Sequence, residues 1–187
     1  MKALIAYTTD KGHTRKVADR ISEALRGQGH TAQVVDLNRG HEGVYPQGFD
    51  VVFLGSPIII GGYSRALRRF VQEHRAALTR IPTAFFSVGL AVASLTSDGR
   101  AQTMEVVERF MQKTAWHPRR VELVAGALPY SKYNFLVRFI MRNIAAKEGG
   151  DTDTSRDYEY TDWEAVDRFA TEFASRAAQS RGSLAAE

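Results

Sequence analysis

The sequence has 187 residues, of which 44% are hydrophobic and 25% are charged, as expected for one globular domain. It contains no cysteine, which excludes disulfides, thiolate metal sites and cysteine nucleophiles, so a redox function would need a bound cofactor. The formal net charge of +4 comes without a zinc-finger spacing or a dense Lys/Arg block, and we expect no nucleic-acid partner.

Five apolar runs of strand length recur along the chain, and most of them are separated by segments with helical spacing. The runs DVVFLG and TAFFSV do not alternate polar with apolar residues, which is typical of strands covered on both faces. This alternation of strand and helix predicts an α/β fold with a parallel sheet and helices on both sides. The predicted strands span residues 2–7, 31–37, 50–55, 83–88 and 121–127, and predicted helices include residues 17–25, 67–78 and 102–114.

The last helix is predicted to begin within the sequence YTDWEAV, where Thr161 and Glu164 have the spacing of a capping box. The tail that starts at Ser175 offers little apolar surface to bury. We therefore expect the domain to span residues 1–175 and residues 176–187 to form a disordered tail.

A long insertion, residues 128–160, separates the fifth predicted strand from the last helix, whereas such connections usually have about 2 to 6 residues. Apolar residues at helical spacing from Tyr133 to Ile144 predict a helix within it. Residues 128–147 carry four basic and no acidic side chains. This helix is expected either to lie on an anionic membrane surface or to pack over a binding site or a second subunit, and both alternatives stay open.

No apolar run approaches the roughly eighteen residues that span a bilayer. The chain begins directly with a strand pattern instead of a charged, cleavable signal. We expect a cytoplasmic protein, in which residues 130–147 would make a peripheral contact with the inner face of the cell membrane.

The first predicted strand leads into the sequence YTTDKGHT, which directly precedes a helix. In an open α/β sheet, ligands bind at the carboxyl ends of the strands, where a helix amino terminus offers N–H groups to a phosphate. Threonine hydroxyls would add donors there. Neither G-x-x-x-x-G-K-[ST] nor G-x-G-x-x-G occurs, which favours a single phosphate, as in flavin mononucleotide (FMN), over a triphosphate or a dinucleotide. An ordinary capping turn would have the same composition.

Two further loops are expected at the same edge of the sheet. The sequence GSPIIIGGYS follows the third predicted strand, and SVGLAVASLTSDGR follows the fourth. The three consecutive isoleucines of GSPIIIGGYS would suit packing either on a flat ring or under a neighbouring loop. Three convergent loops predict one binding site. The five histidines are scattered and only His13 lies in a predicted site loop, so the sequence indicates no metal site.

These segments resemble the menaquinone-dependent protoporphyrinogen IX dehydrogenases, a family with the flavodoxin-like fold. The resemblance is carried by YTTDKGHTRKVA, FVQEH, IPTAFFSV, AGALPYSKY and GGDTDTSRDYEYTDWEAV, in that family's order. It implies a five-stranded parallel sheet in the order 2-1-3-4-5, with helices on both faces and the insertion after the fifth strand. It also implies FMN as cofactor, with protoporphyrinogen IX and a quinone as substrates in heme biosynthesis.

The resemblance assigns a role to each of the three loops. The first would enclose the flavin phosphate, the third would line the isoalloxazine edge, and the second would form a wall of the same pocket. No catalytic acid or base is implied. The implied cofactor-binding residues are Thr8, Thr9, Asp10, Lys11, Gly12, His13, Thr14, Ser56, Pro57, Ile58, Ile59, Ile60, Gly61, Ser87, Val88, Gly89 and Leu90.

The chain departs from the family pattern at Ile59 and Ile60, where the family has an arginine and an aromatic residue. These positions would matter for ring stacking or for holding porphyrin carboxylates. An electron-carrying flavodoxin domain and an FMN-dependent NAD(P)H:quinone reductase are the alternative functions. The long insertion favours the dehydrogenase, because a pure carrier needs only an exposed ring edge. The sequence does not decide the quinone or the oligomeric state, and a homo-oligomer stays open.

Overall fold

The computed structural model describes residues 1–93, 98–128, 131 and 153–184. Strands and helices alternate along most of these ranges, as the apolar runs predict. The elements in chain order are β1 (Lys2–Tyr7), α1 (His13–Gly27), β2 (Thr31–Asp36), β3 (Val51–Pro57), α2 (Arg65–Arg80), β4 (Thr83–Gly89), α3 (Asp98–Thr114), β5 (Arg120–Ala125), β6 (Ala127–Leu128), β7 (Tyr158–Glu159) and α4 (Trp163–Leu184).

Five strands form one parallel sheet in the order β2-β1-β3-β4-β5. The strand β1 lies between β2 and β3, with Ile5 opposite both Val34 and Phe53. Its side chains alternate between two cores, because Ile5 packs under α1 and α4 whereas Leu4 packs under α2 and α3. Both faces of the sheet are therefore covered. The predicted α/β fold and the implied strand order are confirmed.

The fifth strand is shorter than predicted, because it ends at Ala125 instead of residue 127. The N–H of Gly126 donates to the carbonyl of Gly89 at 3.1 Å, at the end of the ladder between β4 and β5. The chain then enters β6, which pairs antiparallel with β7. These two short strands bring the ends of the insertion together beside the main sheet. The predicted helix between Tyr133 and Ile144 lies outside the described residues.

The start of α4 differs from the predicted capping box. The Oδ1 atom of Asp162 accepts a hydrogen bond from the N–H of Ala165 at 2.9 Å, so Asp162 caps the helix. The hydroxyl of Thr161 instead donates to the carbonyl of Ala125 at 2.7 Å. Thr161 therefore joins α4 to the end of β5, and its predicted capping role is wrong.

The disordered tail predicted for residues 176–187 is wrong as far as Leu184, because α4 continues to that residue. Ala170, Ala174 and Ala177 are buried in the core that also contains α1. Small alanine side chains thus continue the inward stripe of α4 beyond Phe173. Residues 185–187 lie outside the described ranges. None of the helices within those ranges combines the length and the apolar character that a membrane span needs.

Candidate functional site

An open cleft lies at the carboxyl ends of β1, β3 and β4, where the three predicted loops meet. Eleven of the seventeen predicted site residues line it, together with two residues that the sequence did not indicate, Gly126 and Ala127. The lining consists of Thr9, Asp10, Lys11, His13, Thr14, Pro57, Ile58, Ile59, Val88, Gly89, Leu90, Gly126 and Ala127. The topology therefore assembles one site from loops that are far apart in the sequence.

The first loop presents the amino terminus of α1 to this cleft. Gly12 adopts the left-handed backbone conformation, with φ of 92°, and its N–H donates to the Oγ1 atom of Thr9 at 3.0 Å. Among the described side chains, none caps α1, and its first turn contains no acidic residue. The first-turn N–H groups and the positive end of the helix dipole therefore suit an anion. Gly12 itself lines an adjoining cleft with His13 and Lys16.

Three predicted site residues lie behind the cleft and support it. The hydroxyl of Thr8 donates to the Oγ of Ser56 at 2.8 Å, and both residues are buried. The hydroxyl of Ser87 hydrogen-bonds that of Tyr63 at 2.7 Å, also in a buried position. Burial raises the pKa of Tyr63 well above its ordinary value, so this phenol stays protonated at neutral pH. These two hydroxyl pairs fix the ends of β1, β3 and β4.

The second loop makes a tight turn at the edge of the cleft. Ile59 and Gly62 exchange two backbone hydrogen bonds of 2.9 and 3.1 Å. Ile60 and Gly61 between them have φ of 47° and 68°, as in a type I′ turn. A left-handed conformation costs an L-residue about 1–2 kcal/mol, and Ile60 is also 103% exposed. The turn therefore holds an apolar side chain in solvent at an energetic cost, next to Ile59 in the cleft wall.

His13, the first residue of α1, contacts the segment that precedes α4. Its Nε2 atom lies 2.7 Å from the Oγ1 of Thr161, whose single hydroxyl proton already goes to the carbonyl of Ala125. Nε2 of His13 must therefore carry a proton and donate it to Thr161. The Nδ1 atom of the same ring lies 3.6 Å from the Oε2 of Glu159.

Glu159, in β7, is the centre of a small polar network beside the cleft. Its carboxylate accepts hydrogen bonds from Nζ of Lys16 at 2.8 Å and from Nε1 of Trp163 at 3.1 Å. The Lys16 hydrogen bond holds the pKa of Glu159 below its ordinary value, with a smaller contribution from His13. Glu159 is therefore ionised at neutral pH. It ties the returning end of the insertion to the helix that begins at the cleft.

The comparisons with known proteins agree with this architecture. Residues 4–155 match the flavodoxin-domain family model. The chain is 37% identical over 174 residues to the protoporphyrinogen IX dehydrogenase [quinone] of Escherichia coli strain K12, which covers 93% of this chain and 95% of the relative. The chain belongs to this flavodoxin-domain family of dehydrogenases. A relative of the same name from Leishmania major is also 37% identical, over 92% of this chain and 74% of its own length.

Solved flavodoxins show the same fold at low sequence identity. A flavodoxin from the domain Archaea superposes with a TM-score of 0.53 and 14% identity, over 95% of this chain and 99% of its own. The stretch GGDTDTSRDYEYTDWEAV, which contains Glu159 and Thr161, is one of the segments on which the predicted resemblance to the dehydrogenases rests. That stretch was the available signal for the polar network, although the roles of the two side chains appear only in three dimensions.

Proposed function

We propose that the chain is an FMN-dependent dehydrogenase that oxidises protoporphyrinogen IX to protoporphyrin IX in heme biosynthesis and passes the electrons to a quinone. The observation that carries this proposal is the 37% identity, over nearly the whole chain, to proteins named for that reaction. The cleft supports it, because it combines an anion site with apolar walls at the ligand-binding edge of a flavodoxin-like sheet.

The residues of the cleft fit FMN. The first-turn amides of α1 would hold the phosphate, with Thr9 fixing the backbone at Gly12 and Thr14 adding a hydroxyl. Ile58 and Leu90 would flank the flavin ring with apolar surface. When bound, the flavin supplies the electron-accepting group that the side chains of this chain do not provide.

The protein would contribute orientation and exclusion of water. The N–H of Ile58 donates to the carbonyl of Val88 at 2.9 Å, which joins the second loop to β4 and keeps the two apolar walls together. The Thr8–Ser56 pair holds the strand ends behind them. A site that is fixed before binding loses less conformational entropy when a ligand is held.

The exposed turn at Ile60 would contact a substrate. It borders the cleft through Ile59, and its side chain is apolar and fully exposed. A tetrapyrrole and a quinone both present broad apolar faces, so burial of Ile60 against either would be favourable. We assign substrate contact, and not flavin retention, to this residue.

We further propose that residues 130–147 bring the protein to the membrane that holds the quinone, with the chain otherwise cytoplasmic. The four basic and no acidic residues between 128 and 147 support a contact with anionic lipid. Ala127 lines the cleft and also begins β6, so the insertion starts at the site itself. The alternative is that the same segment packs on a second copy of the chain, in a homo-oligomer.

The test is an anaerobic assay of protoporphyrinogen oxidation by the purified, FMN-loaded protein with a menaquinone analogue. We expect porphyrin to form and quinone to be reduced. A yellow protein that forms no porphyrin would favour an electron carrier, and bleaching by NADH would favour a nicotinamide-dependent quinone reductase. A colourless protein that ignores added FMN would contradict all three functions.

Two measurements complete the test. Riboflavin, which lacks the phosphate, should bind about 100-fold more weakly than FMN, because two charge-assisted hydrogen bonds contribute about 3 kcal/mol. Equal affinities would contradict the phosphate site. A deletion of residues 130–147 should retain FMN but lose sedimentation with anionic vesicles. If the deletion instead lowers the number of chains in the particle in solution, the segment contacts a second copy of the chain.

A further inference from the structure

A second cleft, of about 530 Å³, lies between the loop that follows β2 and the helix α2. Its lining includes His41 from the loop, together with Glu73 and His74 from the helix. One ligand atom from each of these three residues lies within 4.8 Å of the others. Nothing in the proposed dehydrogenase reaction uses this group of side chains, which belongs to a different cleft.

The positions of the two imidazole rings are fixed by packing. The ring of Phe70 lies edge-on to His41, with centroids 5.2 Å apart, and lies 4.7 Å from the ring of His74. Phe70 itself is fully buried in the core under α2. Because both imidazoles contact the same buried phenyl ring, their ring positions are restrained before any ligand is present.

The carboxylate of Glu73 is also oriented. The Nε–H of Arg69, one helical turn earlier, donates to Oε1 of Glu73 at 2.6 Å. The other oxygen, Oε2, lies 2.9 Å from Nε2 of His41. An outer hydrogen bond that turns one carboxylate oxygen toward a neighbouring imidazole is a common feature of protein metal sites.

The distances and the donor types suit one class of ion. Two donors bound tetrahedrally at about 2.1 Å from an ion lie about 3.4 Å apart, so Nε2 of His41 and Oε2 of Glu73, which are 2.9 Å apart, would separate by about 0.5 Å on binding. Two imidazoles and one carboxylate are ligands for zinc and neighbouring divalent transition metals, whereas calcium and magnesium prefer oxygen alone. We propose that His41, Glu73 and His74 form a binding site for a divalent transition-metal ion such as Zn²⁺.

Binding would replace the proton between His41 and Glu73 with the ion and leave the Arg69 hydrogen bond in place. Arg65 and Arg69 also line this cleft and disfavour a cation, while Glu42 and Glu73 offset their charge. The local charge therefore does not exclude a divalent ion. Affinity would come from the three directed ligands.

The ion would join the loop to α2, and the same loop contacts the cofactor cleft. The side-chain amide of Asn38, three residues before His41, donates to the carbonyl of Thr9 at 2.7 Å. Gly40 and Gly43, with φ of 102° and 79°, shape the turn that places His41 over the helix. A bound ion would therefore stabilise a loop that also supports the first loop of the cofactor site.

The experiment titrates the FMN-loaded, chelator-treated full chain with Zn²⁺ by isothermal calorimetry. We expect one equivalent to bind, with an affinity at least about tenfold weaker in each of His41→Gln, Glu73→Gln and His74→Gln. His117→Gln is the matched control, because His117 is an exposed histidine outside the cluster, and it should bind like the unaltered chain. Absence of a one-equivalent site, or equal affinity in all four variants, would overturn the proposal.

A spectroscopic measurement covers the case in which a variant loses its fold. Electron paramagnetic resonance of the Cu²⁺ adduct should show coupling to two imidazole nitrogens in the unaltered chain and in His117→Gln. It should show coupling to one nitrogen in His41→Gln and in His74→Gln. Coupling to fewer than two nitrogens in the unaltered chain would contradict the site, whatever the stability of the variants.

Discussion

Nε2 of His13 lies 2.7 Å from Oγ1 of Thr161, although 148 positions separate the two residues in the sequence. The same hydroxyl donates to the carbonyl of Ala125. One side chain thereby joins the first turn of α1, the end of β5 and the segment that leads into α4. This contact connects the amino-terminal end of α1, where we propose that the phosphate binds, to the part of the chain that follows the insertion.

Replacing Thr161 with valine tests that connection. Thr161→Val keeps the shape but leaves Nε2 of His13 and the carbonyl of Ala125 without this partner, so we expect the free energy of unfolding to fall by about 1–2 kcal/mol. FMN affinity should fall as well, because His13 begins the helix whose first turn would hold the phosphate. Urea denaturation and fluorescence titration measure the two effects.

Thr171→Val is the control, since the hydroxyl of Thr171 bonds only the carbonyls one turn earlier in α4 among its described contacts. Its free energy of unfolding should stay within about 0.5 kcal/mol. If both variants lose the same stability and retain the same FMN affinity, Thr161 has no special role at the site.

Gly55, in the middle of the sheet, lies opposite Phe86 in β4. A Cβ atom at Gly55 would lie 1.9 Å from Cζ of Phe86, whose ring is fully buried. Gly55→Ala should therefore lower the free energy of unfolding by about 1–3 kcal/mol through overpacking. Gly27→Ala, at the end of α1, meets no atom within 4 Å and should raise it by up to about 1 kcal/mol. Urea midpoints that move in the same direction for both variants would contradict this explanation.

The sheet could be predicted from the sequence because its strands are buried on both faces. β1 and β3 are almost wholly buried, so their apolar residues form continuous runs that periodicity detects. The carboxyl ends of adjacent parallel strands must share one edge, and this is why the three loops of the cleft were correctly placed together. The end of α4 was missed because its inward residues are the small alanines Ala174 and Ala177.

The polar contacts between distant elements could not be predicted in the same way. Lys16 and Glu159 are 143 positions apart, and His41 and Glu73 are 32 apart, with no local pattern that relates either pair. Such contacts depend on where the insertion returns and on how a loop folds onto a helix. Periodicity reports which face of an element is buried, but it does not report which polar side chains meet across elements.

The lowered pKa of Glu159 predicts a pH dependence of stability. A carboxyl group whose pKa is lower in the folded than in the unfolded protein stabilises the fold above its unfolded pKa of about 4.5. This contribution is lost as the pH falls through the lower, folded value. The side chain is 35% exposed, so we expect Glu159→Gln to cost only about 0.5 kcal/mol at pH 7 and progressively less below pH 4.5.

Urea denaturation of the unaltered chain and of Glu159→Gln between pH 3 and pH 7 measures that difference. Glu164→Gln serves as the control, because its side chain is 89% exposed and its 3.6 Å pair with Arg168 lies on the helix surface. The control should show only a small difference at every pH. A Glu159→Gln effect that grows as the pH falls would contradict the assigned sign.

The strained turn at Ile60 is expected to affect both the free energy of unfolding and the reaction. Ile60 and Ala115 are the two non-glycine residues with positive φ among the described residues, and both are exposed. Glycine relieves the left-handed strain but loses more entropy on folding, so Ile60→Gly and Ala115→Gly should each raise the free energy of unfolding by about 0.5–1 kcal/mol. Urea denaturation measures both changes.

The two glycine variants should differ in catalysis. Of the two residues, only Ile60 borders the proposed FMN cleft. We therefore expect Ile60→Gly to raise KM for protoporphyrinogen or for the quinone while FMN affinity stays unchanged. Ala115→Gly should leave every kinetic constant as it was. Loss of one buried isoleucine contact of about 1.5–3 kcal/mol corresponds to a rise in KM of about tenfold to a hundredfold. If Ile60→Gly is more stable and equally active, Ile60 makes no contact with either substrate and its strain has no role in the reaction.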